Sequence, residues 1–314
     1  MSLYITIDGG TTNTRVNIVK DRSLLDTVRL DVGARRGIDD KELYKSEIKR
    51  GIEQILKKNS LKEEDIVSII ASGMITSEFG LVCLEHINAP AGIGELHNTM
   101  ARVSLPEISK IPFAFIRGVK LFSDSFDEFD VMRGEETELM GILGEDFGEC
   151  IYILPGSHSK VISVDKWGKI TDFSTMMTGE MVTSLSQNTI LKDAVELGSS
   201  EINSEYLLCG YEYALKEGLN KALFKTRIFK SFFGCGRDEA YSFFLGAVLS
   251  GEITEIKKSK AKTVVIGGRR QIKEAMSLLL KAKDTKTVVT LDDSTVNSST
   301  AIGAVRIFEY STVS

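Results

Sequence analysis

Apolar residues fall into short runs and helical stripes along this chain, and the same order of elements recurs in its two halves. Residues 4 to 8, Tyr-Ile-Thr-Ile-Asp, read as an apolar strand that runs into Gly9-Gly10-Thr11-Thr12-Asn13 and an alternating second strand. Leu24 to Val32 continues as a further extended segment. Residues 39 to 58 place apolar side chains at helical spacing until Asn59-Ser60 breaks the run. Ile66 to Ser72 is β-branched and of buried type, and it ends at Gly73. Strand, helix and strand in that order predict an α/β lobe with partly parallel pairing.

Residues 151 to 164 repeat the opening plan of strand, glycine-and-hydroxyl turn and strand, and Gly156-Ser157 falls where Gly10-Thr11 falls. Lys169 to Met176 supplies the matching extended segment. A helix is expected over Asp130 to Leu143, linking the halves, with others over 172 to 195, 200 to 218 and Arg237 to Leu249. Phe243, Phe244, Ala247 and Val248 of the last are expected in the core. Lys262 to Ile266 reads as a strand running into Gly267-Gly268, then a helix from Gln271 to Leu280 and a strand from Thr287 to Leu291. The closing segment, Asn297 to Tyr310, predicts a helix packed tightly through its small residues. Two hydroxyl-lined hairpins opening two halves suggest a duplicated domain, whose lobes face across a cleft and hold a nucleotide's phosphates from both sides. The lobes are expected over 1–145 and 146–296, with the C-terminal helix 297–314 returning to the first.

Composition narrows the function. A length of 314 residues suits two domains, and 42% hydrophobic with 26% charged residues is ordinary for a soluble globular protein. The net charge of −5 lacks the basic excess that nucleic-acid binding requires. No apolar run approaches the ~18 residues of a membrane span. The start goes directly into a strand with no basic-then-apolar leader, so a cytoplasmic protein is expected. Four scattered cysteines form no CxxC pair, and three histidines are too few for a histidine-rich metal site.

Asp8 ends the first strand with a hard carboxylate of the kind Mg²⁺ prefers, usually through water. Gly9, Gly10, Thr11, Thr12 and Asn13 put small residues and free N–H groups at a turn where phosphate can approach, although an ordinary Gly-Gly hairpin has the same composition. Gly156, Ser157 and His158 form the second such turn. Gly267-Gly268, between strand and helix, suits a flat base or ribose lying against backbone, or is simply a good loop. Glu135 and Glu136 fall in the first turn of the expected linking helix, where the dipole favours a carboxylate. Under a kinase reading, a carboxylate there accepts an alcohol's proton as the γ-phosphoryl transfers. Arg133 beside them is a bidentate anion binder. Arg35-Arg36 reads as a carboxylate or phosphate site or as a solvated loop, and Lys160 as a phosphate contact or the outward residue of a strand. Thr175 to Glu180 reads as site or helix cap.

Asp8 to Asn13 resembles the first phosphate motif of the sugar kinase, heat-shock ATPase and actin superfamily. Within it, Val131-Met132-Arg133-Gly134-Glu135-Glu136-Thr137-Glu138, Pro155 to Lys160 and Met177-Thr178-Gly179-Glu180 resemble the 2-dehydro-3-deoxygalactonokinases. Gly73-Met74-Ile75, with Pro90-Ala91, is similar to another segment of that family. The resemblance implies two ribonuclease-H-like lobes with an interlobe cleft, the actin-like ATPase fold. It implies ATP and Mg²⁺, and transfer of the γ-phosphoryl to the 6-hydroxyl of 2-dehydro-3-deoxy-D-galactonate in galactonate breakdown. Asp8 would face the metal–nucleotide, Gly10, Thr11 and Thr12 would cradle phosphate, and Gly156, Ser157 and His158 would lie opposite. Gly267 and Gly268 would lie under the adenosine, and Gly73 and Met74 would join the arginines at the substrate. The catalytic carboxylate falls closest to Glu135, with Glu136 the alternative. A type III pantothenate kinase or other small-acid kinase, and a nucleotide-sensing or filament-forming actin relative without turnover, remain alternatives. A homodimer is left open.

Overall fold

Ile5, Thr6 and Ile7 are buried on both faces of β1 (Leu3–Gly9), as in a strand inside a sheet covered on both sides. The computed structural model describes residues 2–143, 148–198, 201–268 and 270–311. They form two compact units: Met1–Gly148 with Asp165–Asp172 and Ser294–Ser314, and Glu149–Val164 with Phe173–Asp293. The boundary expected at 145/146, residue 200 of an expected helix and the last three residues of the chain lie outside the described residues.

In the first unit β1 pairs antiparallel with β2 (Thr14–Lys20), which pairs antiparallel with β3 (Ser23–Leu30). After the short α1 (Arg36–Asp39), α2 (Lys41–Lys58) crosses over to β4 (Ile66–Gly73), which lies parallel to β1. Asp40 caps α2 by accepting from the Leu43 N–H at 2.8 Å. Tyr44, Ile48, Ile52 and Ile55 of its buried stripe meet Ile5, Ile7, Val16 and Ile18 in one core. A two-residue β5 (Ile87–Asn88) and α3 (Ile93–Asn98) precede β6 (Ala101–Val103) and β7 (Phe113–Phe115). The resulting sheet has the order β3-β2-β1-β4-β7-β6. β8 (Val119–Leu121) and β9 (Asp130–Met132) join β5 in a small separate sheet and deliver the chain to α4 (Glu135–Ile142). The helix therefore starts five residues later than the pattern predicts. Residues 130–132 pair with β8, and Gly134, at φ +114°, breaks any helix that would run through it.

The second unit repeats the scheme. β10 (Cys150–Leu154) pairs antiparallel with β11 (Ser159–Val164), and β12 (Ile170–Met176), which begins in the 165–172 stretch grouped with the first unit, flanks β11. Helices α5 (Thr178–Asn188), α6 (Ser204–Glu217), α7 (Leu219–Phe232), α8 (Arg237–Val248) and α9 (Ser250–Lys258) follow. β13 (Thr263–Ile266) then lies parallel to β10, and α10 (Arg270–Lys283) leads to β14 (Thr287–Thr290), parallel to β13. The order β12-β11-β10-β13-β14 matches β3-β2-β1-β4-β7, as a duplication requires. Residues 172–176, expected to be helical, are the end of β12, and α7 and α9 were not expected. Phe243, Phe244, Ala247 and Val248 of α8 are buried as expected.

The last helix, α11 (Asp293–Phe308), packs on α4. The Gly141 Cα lies against the Ser299 carbonyl and the Gly303 Cα against the Thr137 carbonyl, so a Cβ at either glycine would overlap backbone. Arg306 donates to the Leu143 carbonyl at 2.8 Å, capping the end of α4. Tyr4 and Phe308 meet edge-on at 5.6 Å. No helix among the described residues is long and apolar enough to cross a membrane.

Candidate active site

Asp8 sits near the carboxyl end of β1, where ligands of parallel α/β sheets gather. The turn beyond it closes with the Gly10 N–H donating to the Asn13 carbonyl at 2.9 Å, leaving Thr11 and Thr12 exposed. The chain returning from β3 lies on this tip. The Ala34 and Arg35 N–H groups donate to the Gly10 and Thr11 carbonyls at 3.0 and 3.1 Å, and a Cβ on Gly33 would come within 2.5 Å of the Thr11 carbonyl oxygen. Thr14, fully buried at the start of β2, donates its hydroxyl to the Val32 carbonyl at 2.8 Å. Arg35 and Arg36 are exposed there, and neither guanidinium has an ion-pair partner among the described residues.

Four acidic side chains gather around this hairpin. Arg15, opposite Asp8 on β2, reaches its carboxylate at 3.3 Å. Burial pushes the Asp8 carboxyl up, Arg15 pulls it down and Glu135 pushes it up again. Burial raises Glu138 to about 8, helped by the charges of Asp8 and Glu135. Glu136 also rises to about 8, from burial first and then the charge of Glu135. The two glutamates expected as alternative bases differ sharply. Glu136 is fully buried, and both its oxygens accept from the Gly134 N–H at 2.9 and 2.8 Å, while Thr137 donates at 3.1 Å. It is sealed from any substrate. Glu135 is half-buried and accepts from the Arg133 N–H at 3.0 Å.

Gly73, at φ +83°, ends β4 against β1, where a Cβ would lie 2.6 Å from the Gly9 carbonyl oxygen. Gly134 packs on it, with the Gly73 Cα 3.3 Å from where a Gly134 Cβ would stand. Met74 begins the 3-10 turn that follows. Arg133, expected to grip an anion, is occupied inside the protein. Its terminal nitrogens donate to the Thr76 carbonyl (2.8 Å) and hydroxyl (2.6 Å) and to the Leu84 carbonyl (2.9 Å), and one lies 3.2 Å from His86 Nδ1. Burial and this guanidinium push His86 down to about 4, so the imidazole is neutral and accepts. Arg133 thus ties the residues just before α4 to the segment 76–86 that follows β4.

In the second unit Gly156, Ser157 and His158 are exposed at the tip between β10 and β11. The start of α5 lies on that tip. The Glu180 N–H donates to the Ser157 carbonyl at 3.2 Å, and the Gly179 Cα rests on the Gly156 carbonyl, leaving no room for a Cβ. His158 stands 3.2 Å from the Glu180 carboxylate. Lys160, read from sequence as a phosphate contact or an outward strand residue, is buried, and its ammonium reaches the His158 carbonyl at 3.4 Å. Gly267 donates its N–H to the Ile153 carbonyl at 2.9 Å. Gly268, at φ +80°, would place a Cβ 3.0 Å from the Pro155 carbonyl oxygen. The Gly9–Gly73 junction is therefore repeated as Pro155–Gly268.

A family model for the 2-keto-3-deoxy-galactonokinases matches residues 8–302, from the Asp8 carboxylate into α11. The chain belongs to that family. It is therefore a phosphotransferase acting on an alcohol group, a sugar-acid kinase that uses ATP. A 2-dehydro-3-deoxygalactonokinase of Escherichia coli (strain K12) is 24% identical over 255 residues, covering 81% of this chain and 80% of its own. A crystal structure from Sinorhizobium meliloti, described as a candidate 2-dehydro-3-deoxygalactonokinase, superposes with a TM-score of 0.76 over 98% of this chain and 100% of that one, at 22% identity. The activator of 2-hydroxyisocaproyl-CoA dehydratase from Clostridium difficile, solved with bound ADPNP, gives 0.55 at 12% identity, over 98% and 95%. These likenesses show the actin-like ATPase fold.

Three site features were not expected from sequence. Arg15 and Glu138 flank Asp8, and their signals are strand pairing opposite Asp8 and a helical step of three from Glu135. The third is Glu252 on α9, almost fully buried, which accepts a hydrogen bond from the Thr178 hydroxyl. Among the described residues no three His, Cys, Asp or Glu side chains are grouped as a metal cage. The acidic surroundings of Asp8, offset by Arg15 alone, fit a hydrated cation that arrives with a nucleotide.

Proposed function

We propose that this kinase transfers the γ-phosphoryl group of ATP to the 6-hydroxyl of 2-dehydro-3-deoxy-D-galactonate, with Glu135 as general base. The observation that carries this reading is the contrast within one helical turn, where Glu136 is fully buried and Glu135 is half-buried beside Asp8. Glu135 takes the proton of the 6-hydroxyl as its oxygen bonds to the γ-phosphorus. The bond from that phosphorus to the bridging oxygen breaks, and ADP leaves with the electron pair. Mg²⁺, when bound with the nucleotide, neutralises the phosphate charge that develops. Asp8 would hold the cation, and Arg15 keeps its carboxylate oriented.

Gly10, Thr11, Thr12 and Asn13 take phosphate in the first unit, and Gly156, Ser157 and His158 do so in the second. Gly267 and Gly268 admit the adenosine against backbone. The unpaired Arg35 and Arg36 meet the acceptor's carboxylate, and Gly73 and Met74 line its approach. The need for ATP and a catabolic sugar acid points to the cytoplasm. A coupled ATP-consumption assay across six-carbon 2-keto-3-deoxy acids and pantothenate tests the assignment. The galacto acid is expected to give the highest kcat/KM, and an ATPase rate that no sugar acid accelerates would overturn it.

A further inference from the structure

The second phosphate tip is tied down differently from the first. In the first unit, the residue that opens the returning strand, Thr14, donates its hydroxyl directly to the carbonyl of Val32, just before the Gly33 that rests on the tip. Strand pairing makes Ser159 the counterpart of Thr14, because Lys160, paired with Leu154, stands where Arg15 pairs with Asp8, one residue further along each strand. The Glu180 N–H on the Ser157 carbonyl matches the Arg35 N–H on the Thr11 carbonyl, which places Thr178 in the segment that Val32 and Gly33 occupy in the first unit. No direct bond from Ser159 to residue 178 closes this loop. The Thr178 hydroxyl instead donates to Glu252, whose carboxylate also feels the buried Ser159 hydroxyl, a group without a hydrogen-bond partner of good geometry.

We infer that Glu252 is a positioning residue for nucleotide binding, a buried strut from α9 that holds Thr178 and Ser159 at one spacing. The inference rests on the reading of Gly156–His158 as a phosphate site. Through Thr178 the strut sets Gly179, whose Cα supports the Gly156 carbonyl, and Glu180, whose N–H holds the Ser157 carbonyl at 3.2 Å. Glu252 is 1% exposed, and the reaction proposed above gives it no chemical part. Burial raises its carboxyl, and the Thr178 hydroxyl steadies the charged form. An amide keeps the geometry: its oxygen accepts from Thr178 and its NH₂ donates to Ser159. A methyl leaves two buried hydroxyls unpaired.

The test compares E252A, E252Q and T178V by calorimetric ADP binding without acceptor, steady-state kinetics and unfolding temperature, with S157W as control. E252A and T178V are expected to weaken ADP binding and raise the ATP KM about tenfold, as loss of one charge-assisted hydrogen bond does. The kcat at saturating ATP and the KM for the sugar acid should stay within about twofold of wild type. E252Q is expected to restore ADP affinity to within about threefold. Wild-type ADP affinity in E252A, with only a lowered unfolding temperature, overturns the inference, and so does E252Q binding no better than E252A. If E252A does not fold, T178V decides: wild-type affinity in that isosteric variant overturns the strut. S157W separates the two readings. If it leaves ADP affinity unchanged, the second tip is no nucleotide site; if it blocks ADP while T178V does not, the strut alone fails.

Discussion

The hairpin at β1–β2 and the hairpin at β10–β11 stand on the same frame and differ in what they carry. Both have a glycine at positive φ at or just past the end of the next parallel strand, Gly73 and Gly268, pressed on the residue that leaves the first strand. Both have a glycine, Gly33 and Gly179, lying on the tip from the segment after the third strand. The carboxylate is where they part. By strand position the counterpart of Asp8 is Leu154, buried and apolar, and the counterpart of Arg15 is Lys160. Only the first unit adds Glu135 and Glu138, from α4, to its hairpin. The backbone frame of the tip has been kept twice, and the acidic side chains have been gathered on one copy. On the function proposed above, duplication supplies two places to hold an anion, and the reaction needs a base at only one of them.

The largest expected effect comes from Glu135→Gln, which should lower kcat by about two orders of magnitude or more with ATP affinity nearly intact. Full activity in this variant, measured in the coupled assay, would move the chemistry elsewhere in the acidic group. Asp8→Asn should come next, lowering activity about tenfold at limiting Mg²⁺ and less at saturation, because an amide orders a hydrated cation poorly. A Mg²⁺ titration indistinguishable from wild type would remove Asp8 from that role. Gly33→Ala and Gly179→Ala probe what the hairpins share. Each methyl meets backbone of its tip, so each should cost about 1–3 kcal/mol in chemical denaturation. A cost at one site but not the other would mean that the shared frame is only apparent.

The smallest effect is a pH dependence carried by one unit. With the Glu138 carboxyl at about 8 in the folded protein and near its ordinary value unfolded, the folded state alone keeps this proton between those limits. Stability therefore falls as pH rises through that window and levels off above about 8. Glu138→Gln should raise the unfolding temperature by a few degrees at pH 8 relative to wild type, and by less at pH 5. An equal shift at both pH values would show that the carboxyl titrates normally.

Strands and glycine tips are legible in the local pattern of residues. A run such as Tyr4 to Asp8 entering Gly9-Gly10 has little freedom to be anything but a strand and a turn. The start of the helix that carries Glu135 is misread because Asp130 to Met132 is too short to show its period, and its strand character comes from pairing with β8. Arg133 illustrates a deeper limit. Nothing beside it in sequence indicates that its guanidinium would find carbonyls at Thr76 and Leu84 rather than a substrate. Glu252 gives no local sign either, since the hydroxyls that need it lie on β11 and α5. Residues that bind through their own backbone can be read locally, whereas those that brace another segment become visible only once the chain has folded.

The glycine contacts between α4 and α11 also constrain the order of assembly. Helix α4 carries Glu135 to Glu138, yet the surface at Thr137 and Gly141 that receives Ser299 and Gly303 has no partner until α11 exists. On the ribosome, all of 149–293 emerges in between, so that unit can close on itself while the earlier one still waits for its final helix. A nascent chain halted before residue 299 would thus carry both glycine tips and an α4 without its packing partner. On the function proposed above, phosphotransfer would wait until α11 has been translated.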